Sequence, residues 1–137
     1  MAHGVFMAMC ENLGVQPTID LFASQRHKQL PGYYTADKHD RKALGHNAFA
    51  YFWERDKMLY ANPPWSLIPQ VLEKIRKEHS RVLLITPKWK YAPWYEDLLA
   101  ITVRSYEYGV TRYTCQRKAN SGPDPHGPRC SQWWMVA

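Results

Sequence analysis

Met58-Leu59-Tyr60-Ala61-Asn62-Pro63-Pro64-Trp65-Ser66 decides the fold, because an apolar run stops at a rigid corner and an amphipathic segment begins directly after it. Leu67, Ile68, Val71, Leu72 and Ile75 share one helical face, and Glu73, Lys74, Arg76, Lys77 and Glu78 share the other. Glu73 and Lys77 stand at i, i+4, the spacing of a helical ion pair. Ser66 is the expected N-cap, and Pro69 fits a first turn whose amides have no intrahelical partner. Val82-Leu83-Leu84-Ile85 follows, apolar on both faces, as expected of a central parallel strand. Strand, helix and strand over residues 58–85 make one βαβ unit. The corner then lies at the carboxyl edge of the sheet, where open α/β folds bind ligands.

The chemistry of the corner fits a planar ring carrying an exocyclic amine. Two successive prolines fix φ and remove two backbone donors, which leaves the carbonyls of Asn62 and Pro63 free to face a ligand. Asn62 adds an amide acceptor, and Trp65 a flat apolar surface. Pro-Pro after a strand is also an ordinary loop, and a Trp behind it also covers a sheet edge, so both readings stay open at this point.

Outward from the corner, Phe6, Met9, Cys10 and Leu13 are spaced as one face of a helix over residues 4–13, ending at Gly14. Residues 17–24 read as a short buried strand, with Asp20 its anomaly. A carboxylate there is costly unless paired or hydrogen-bonded, so Asp20 either faces a ligand or caps the following turn. Arg26, His27, Lys28, Lys38, His39, Arg41 and Lys42 concentrate positive charge after it, either on a phosphate-contacting surface or on a solvated loop. Tyr33-Tyr34-Thr35 is the expected second strand, and Asp37 and Asp40 follow it where nucleotide-binding folds hold a ribose hydroxyl. Residues 48–53 are aromatic-rich and read mostly as core. After the central strand, Lys88, Trp89 and Lys90 combine charge with a stacking surface, while Trp94, Leu98 and Ile101 face inward from a helix that Pro93 begins. Residues 103–108 and 110–114 alternate as antiparallel strands around Gly109, residues 117–130 form a loop, and residues 131–136 form a closing strand. Cys115, His126 and Cys130 match no standard zinc spacing and lack a fourth partner, so no metal is expected.

The 137 residues suit a single domain, and 45% hydrophobic with 14% aromatic content marks a globular chain. A net charge of +6 favours polyanionic partners, nucleic acid first. The odd and widely spaced Cys10, Cys115 and Cys130 suggest reduced thiols in an intracellular protein. No run approaches the ~18 apolar residues of a membrane span.

Taken together, Thr18-Ile19-Asp20-Leu21-Phe22-Ala23-Ser24, Tyr33-Tyr34-Thr35, Tyr60-Ala61-Asn62-Pro63-Pro64-Trp65-Ser66, Leu84-Ile85-Thr86-Pro87 and Pro93-Trp94-Tyr95 resemble the phage-type DNA N6-adenine methyltransferases. The pattern is similar above all to the related domain of DIRS and gypsy-like retroelement polyproteins, which sits beside reverse transcriptase and ribonuclease H. The likeness spans most of residues 5–101. It implies a Rossmann-like methyltransferase fold of the α/β class, a mostly parallel sheet flanked by helices with an antiparallel C-terminal edge, using S-adenosylmethionine.

By position, the resemblance makes Asn62 and the Pro63 carbonyl acceptors for the adenine amine, with Pro64 and Trp65 completing the catalytic corner. Trp65 would stack on an extruded base. Asp20, Phe22, Ala23 and Ser24 would border the cofactor, with Asp37 and Asn47 further contacts. Arg26, Lys28, Lys88, Trp89 and Lys90 would meet nucleic acid: DNA, with RNA or an RNA–DNA hybrid as the other candidates. There is no Gly-x-Gly turn after the first strand, His27 replaces the usual Asn, and Asn47 stands where an acid is expected. A catalytically silent nucleic-acid-binding or structural module of the same fold is therefore the second class. A ribonuclease-H-like nuclease built on Asp20 would need three or four converging carboxylates, and the remaining acids lie mainly on expected helix or loop surfaces.

Overall fold

The computed structural model describes residues 2–108 and 132–136. Its centre is a six-stranded sheet of order β2-β1-β3-β4-β6-β5, made of β1 (Ile19–Ala23), β2 (Gly32–Thr35), β3 (Met58–Ala61), β4 (Arg81–Pro87), β5 (Arg104–Tyr108) and β6 (Gln132–Val136). The first four strands are mutually parallel, and among the described residues three helices flank the sheet: α1 (His3–Leu13), α2 (Ile68–Glu78) and α3 (Tyr95–Ile101). The class is α/β, with a mostly parallel sheet, as expected.

The antiparallel part is arranged differently from the expectation. β6 inserts between β4 and β5 and is antiparallel to both, so β5, at the edge, again runs in the direction of the first four strands. Among the described residues the partner of β5 is the closing strand. Residues 110–114, the loop 117–130 and the Cys115, His126 and Cys130 set lie outside the described residues.

Strand alternation divides the core in two. Leu21, Leu59, Ala61, Val82 and Leu84 pack with Ile68, Val71, Leu72 and Ile75 of α2 and with Trp94 and Leu98 at α3. Met58, Tyr60, Leu83 and Ile85 meet Phe6, Met9, Cys10 and Leu13 of α1 on the opposite face. The 3.6-residue spacing of the two helices and the unbroken apolar run of β4 are the direct causes of this sandwich. α1 ends as the sequence predicts: Gly14 takes a left-handed conformation, φ 66°, and the Val15 amide donates to the Cys10 carbonyl.

The start of α2 departs from the expectation. Ser66 does not cap it; Trp65–Leu67 form a 3-10 turn, closed by the Leu67 amide donating to the Pro64 carbonyl, and the helix follows at Ile68. The ion pair on this helix is Lys74–Glu78, not Glu73–Lys77. Glu78 leaves the solvent face assigned to it and accepts a hydrogen bond from the Trp53 amide at 2.7 Å, while Lys74 Nζ lies 5.1 Å from the Trp53 ring centre. Of the aromatic segment, Ala48 and Trp53 are buried, whereas Tyr51 and Phe52 are exposed. The stretch is therefore a strap across the core, clamped at Trp53, and less of it is core than its composition suggests.

Glu78→Ala should release that clamp. It orphans the Trp53 amide and the Lys74 ammonium together, for an expected loss of about 1–3 kcal/mol in urea unfolding, whereas Glu73→Ala should be near neutral.

Candidate functional site

The strand order creates a switch point. The chain leaves β1 to form β2 on one side, then returns to place β3 on the other, so the loops after β1 and β3 diverge and leave a crevice between them. Asp20 is level with Tyr60 in that pairing, and two residues later β3 ends in Asn62-Pro63-Pro64-Trp65. The sequence-predicted corner thus occupies the crevice.

β1 is irregular at this end. Asp20 pairs with Tyr33 but Ala23 with Thr35, so β1 carries one extra residue. The bulge brings Leu21 and Phe22 to the same core cluster, where strict alternation would separate them. Phe22 then meets the Phe49 ring edge-on at 5.5 Å. Between these elements lies a cleft of about 300 Å³, lined by Phe22, Ala23, Thr35, Asn47, Phe49 and Pro64 among others. Phe22, Ala23 and Asn47 of the expected cofactor residues are therefore brought together beside the corner's Pro64.

The other expected residues have different placements. Asp20 is 2% exposed and does not line the cleft. Its two carboxylate oxygens accept from the Phe22 and Gln29 amides at 3.3 and 3.0 Å, so of its two sequence roles the structure shows the turn anchor. Burial pushes its carboxyl up to about 6, with the two amide hydrogen bonds opposing the rise. Ser24 caps the turn after β1 by accepting from the His27 amide. Asp37 is exposed, and its carboxylate accepts from the His39 amide. Asp40 is also committed internally: it accepts from the Tyr33 hydroxyl at 2.6 Å and from the Lys42 amide, and the Tyr33 bond holds its carboxyl below the ordinary value against the effect of burial.

Asn47 Oδ1 accepts from the Phe49 amide and so starts a 3-10 turn over Ala48–Ala50. Thr35, His46, Phe49 and Leu67 also line the cleft, a set the sequence does not single out. The Asn47 cap two residues before Phe49 is the only local signal that the segment turns there. At Gly45, beside it, an added Cβ would come within 2.6 Å of the Tyr51 hydroxyl, so a larger residue there would push that exposed ring aside.

Around the corner, Pro63 is buried, Asn62 half-buried, and Pro64 and Trp65 exposed. The Asn62 side chain hydrogen-bonds the buried Tyr60 phenol, which favours the ionised phenol; burial is the larger effect and raises its pKa. Trp65, 51% exposed, meets Trp89 edge-on at 4.5 Å, and Trp89 lies 6.4 Å from the buried Trp94. A row of rings thus leads from the surface into the core, and Trp94 is structural, as predicted.

Arg26 and Lys28 are exposed on the loop after β1, with Lys28 Nζ 4.8 Å from the Tyr33 ring centre. Lys90 is exposed on the loop after β4, whereas Lys88 is ion-paired to Glu107 at 3.0 Å. The loops that carry these cations follow β1 and β4, the strands on either side of β3, which lie roughly 10 Å apart in the sheet. A wider cleft of about 800 Å³ lies at the other end of the sheet, among Cys10, Gly14, Thr18, Met58, Arg81 and Arg104. It lies at the amino ends of the strands, away from the switch point, and the smaller cleft is the better candidate on that ground. Among the described residues no three His, Cys, Asp or Glu side chains converge to hold a metal, and no helix is long and apolar enough to cross a membrane.

No protein-family model matches the chain, and no curated protein matches it.

The pH dependence of Asp20 checks its placement. Its folded-state pKa lies above the ordinary 3.8, so the folded protein binds the proton more tightly than the unfolded chain. Its contribution to stability is therefore greatest below pH 4 and declines by on the order of 3 kcal/mol as pH rises through 6. Urea unfolding at both ends of that range should show the wild type losing this margin relative to Asp20→Asn. A difference between the two proteins that does not vary with pH would refute the buried carboxylate.

Proposed function

We propose that the chain is an S-adenosylmethionine-dependent methyltransferase-like domain of Rossmann-like fold. It acts on the N6 amine of adenine in nucleic acid, DNA in the first place, and is of the kind carried by retroelement polyproteins. One observation carries the reading: the Asn62-Pro63-Pro64-Trp65 corner lies at the sheet's switch point, directly beside a cleft lined by Phe22, Ala23 and Asn47. An acceptor-rich corner and a separate adjoining pocket are what a two-substrate transfer needs.

The lining of the cleft fits a nucleoside-bearing cofactor. Phe22, Phe49 and Leu67 offer apolar surface, the Thr35 hydroxyl and Asn47 amide are polar groups within it, and the volume is at the small end of ligand pockets. S-adenosylmethionine, when bound, supplies an electrophilic methyl group. The protein's part is positioning and electrostatics. Asn62 Oδ1 and the Pro63 carbonyl accept the two amine hydrogens and leave electron density on the nitrogen. Trp65 stacks on the base, with the Trp89 edge against its ring, and the amine's surplus proton departs to water after alkylation. Arg26, Lys28 and Lys90 hold the phosphates on either side.

A second reading has its own support. None of the residues lining the cleft is acidic, so no carboxylate faces a ribose hydroxyl there, and Asn47 spends its oxygen on a local cap. This favours a silent nucleic-acid-binding module that keeps the fold.

Calorimetry with S-adenosylmethionine and transfer of a labelled methyl group to single- and double-stranded DNA separate the two. The enzyme reading expects binding, and transfer that falls by about 10²–10³-fold in Asn62→Ala. Absence of measurable cofactor affinity would sink it, and salt-dependent DNA binding without transfer would establish the silent module.

A further inference from the structure

We propose that Thr86 reads the target base, its hydroxyl donating to the ring nitrogen next to the amine that Asn62 and Pro63 hold. The inference rests on the adenine-amine role of the corner.

Thr86 is 1% exposed, and its Oγ1 has no hydrogen-bond partner among the described residues. Native proteins keep few such groups, and each calls for a reason. Valine has nearly the same shape and would fill this strand position without an unpaired hydroxyl.

Position supplies the reason. Ala61 is level with Leu84 in the β3–β4 pairing, so two residues further on Thr86 is level with Pro63. Leu84 belongs to the core under α2 and α3, while Leu83 and Ile85 belong to the core under α1. Alternation therefore turns Thr86 to the α2 and α3 face, the face to which Leu21, Phe22, Phe49 and Trp89 also pack.

The chemistry of the base requires a donor there. An adenine amine donates two hydrogens, which the acceptors of Asn62 and Pro63 satisfy, but the adjoining ring nitrogen is only an acceptor. Pro63 and Pro64 have no N–H to offer it. A donor on the neighbouring strand meets this need, and Thr86 carries a hydroxyl at the level of Pro63. Guanine and hypoxanthine present the opposite pattern, a ring N–H beside a carbonyl, and would be rejected; cytosine, with an amine beside a ring acceptor, would not. The hydroxyl is out of contact with solvent in this conformation, so the base reaches it through a local opening beside the corner.

The test uses the full chain, the variants Thr86→Val, Thr86→Ser and Asn62→Ala, and single-stranded oligothymidine carrying either one adenine or one 1-deazaadenine. Ligand-free Thr86→Val should melt about 3–6 °C above the wild type, because it loses an unpaired buried hydroxyl. It should bind the adenine oligonucleotide about 5–30-fold more weakly and the 1-deazaadenine one unchanged, with Thr86→Ser close to wild type. A lower melting temperature for Thr86→Val would overturn the proposal, since the hydroxyl would then have a partner inside the fold. Weakened adenine binding in Asn62→Ala with none in Thr86→Val would overturn it while leaving the amine pocket standing. Unchanged binding in both variants would remove the pocket and Thr86's role together.

Discussion

The position of β1 between β2 and β3 is the constraint on which the rest of the molecule depends. Parallel strands need long return connections, and here those connections part company at β1. The crevice this leaves at the carboxyl ends is where the corner after β3, the bulge of β1 and the loop after β2 meet. Moving β3 to the far side of β2 would separate Asn62 from Phe22 and dissolve the cleft, with every local segment unchanged.

Buried polar groups hold this arrangement in place. Asp20 binds the amides of Phe22 and Gln29, so a costly buried carboxylate fixes the turn that follows β1. Tyr60, level with it on β3, is the buried phenol beside the Asn62 side chain. On the opposite face Glu78 clamps Trp53, and Ser80 Oγ donates to the Trp53 carbonyl, so the strap that lines the cleft is tied to the end of α2. The apolar layers supply most of the stability. These few polar contacts decide which loops stay beside the corner.

Much of this was legible because it is local. The 3.6-residue spacing of α1 and α2, the two-sided apolar run of β4 and the proline corner are each contained in a dozen residues, and each forms where the pattern puts it apart from the 3-10 turn that opens α2. What the sequence did not show is long-range. Glu78 looks like one more solvated helix residue until Trp53, 25 positions earlier, is brought against it. The insertion of β6 beside β4 joins segments almost fifty residues apart, and no period in either marks the pairing. The fate of Asp20 depended on which amides the next turn would aim at it. Asp37 and Asp40 follow β2 as a ribose-binding pair would, yet the Tyr33 hydroxyl takes Asp40, and Asp37 caps a turn.

The most direct test of the switch-point site is amide-resolved NMR during titration with S-adenosylmethionine. A site between the ends of β1 and β3 predicts shifts concentrated at Phe22, Ala23, Asn47 and Phe49, with the Cys10, Met58 and Arg81 amides at the other end of the sheet unmoved. Shifts confined to that opposite end, or saturating nowhere, would contradict it.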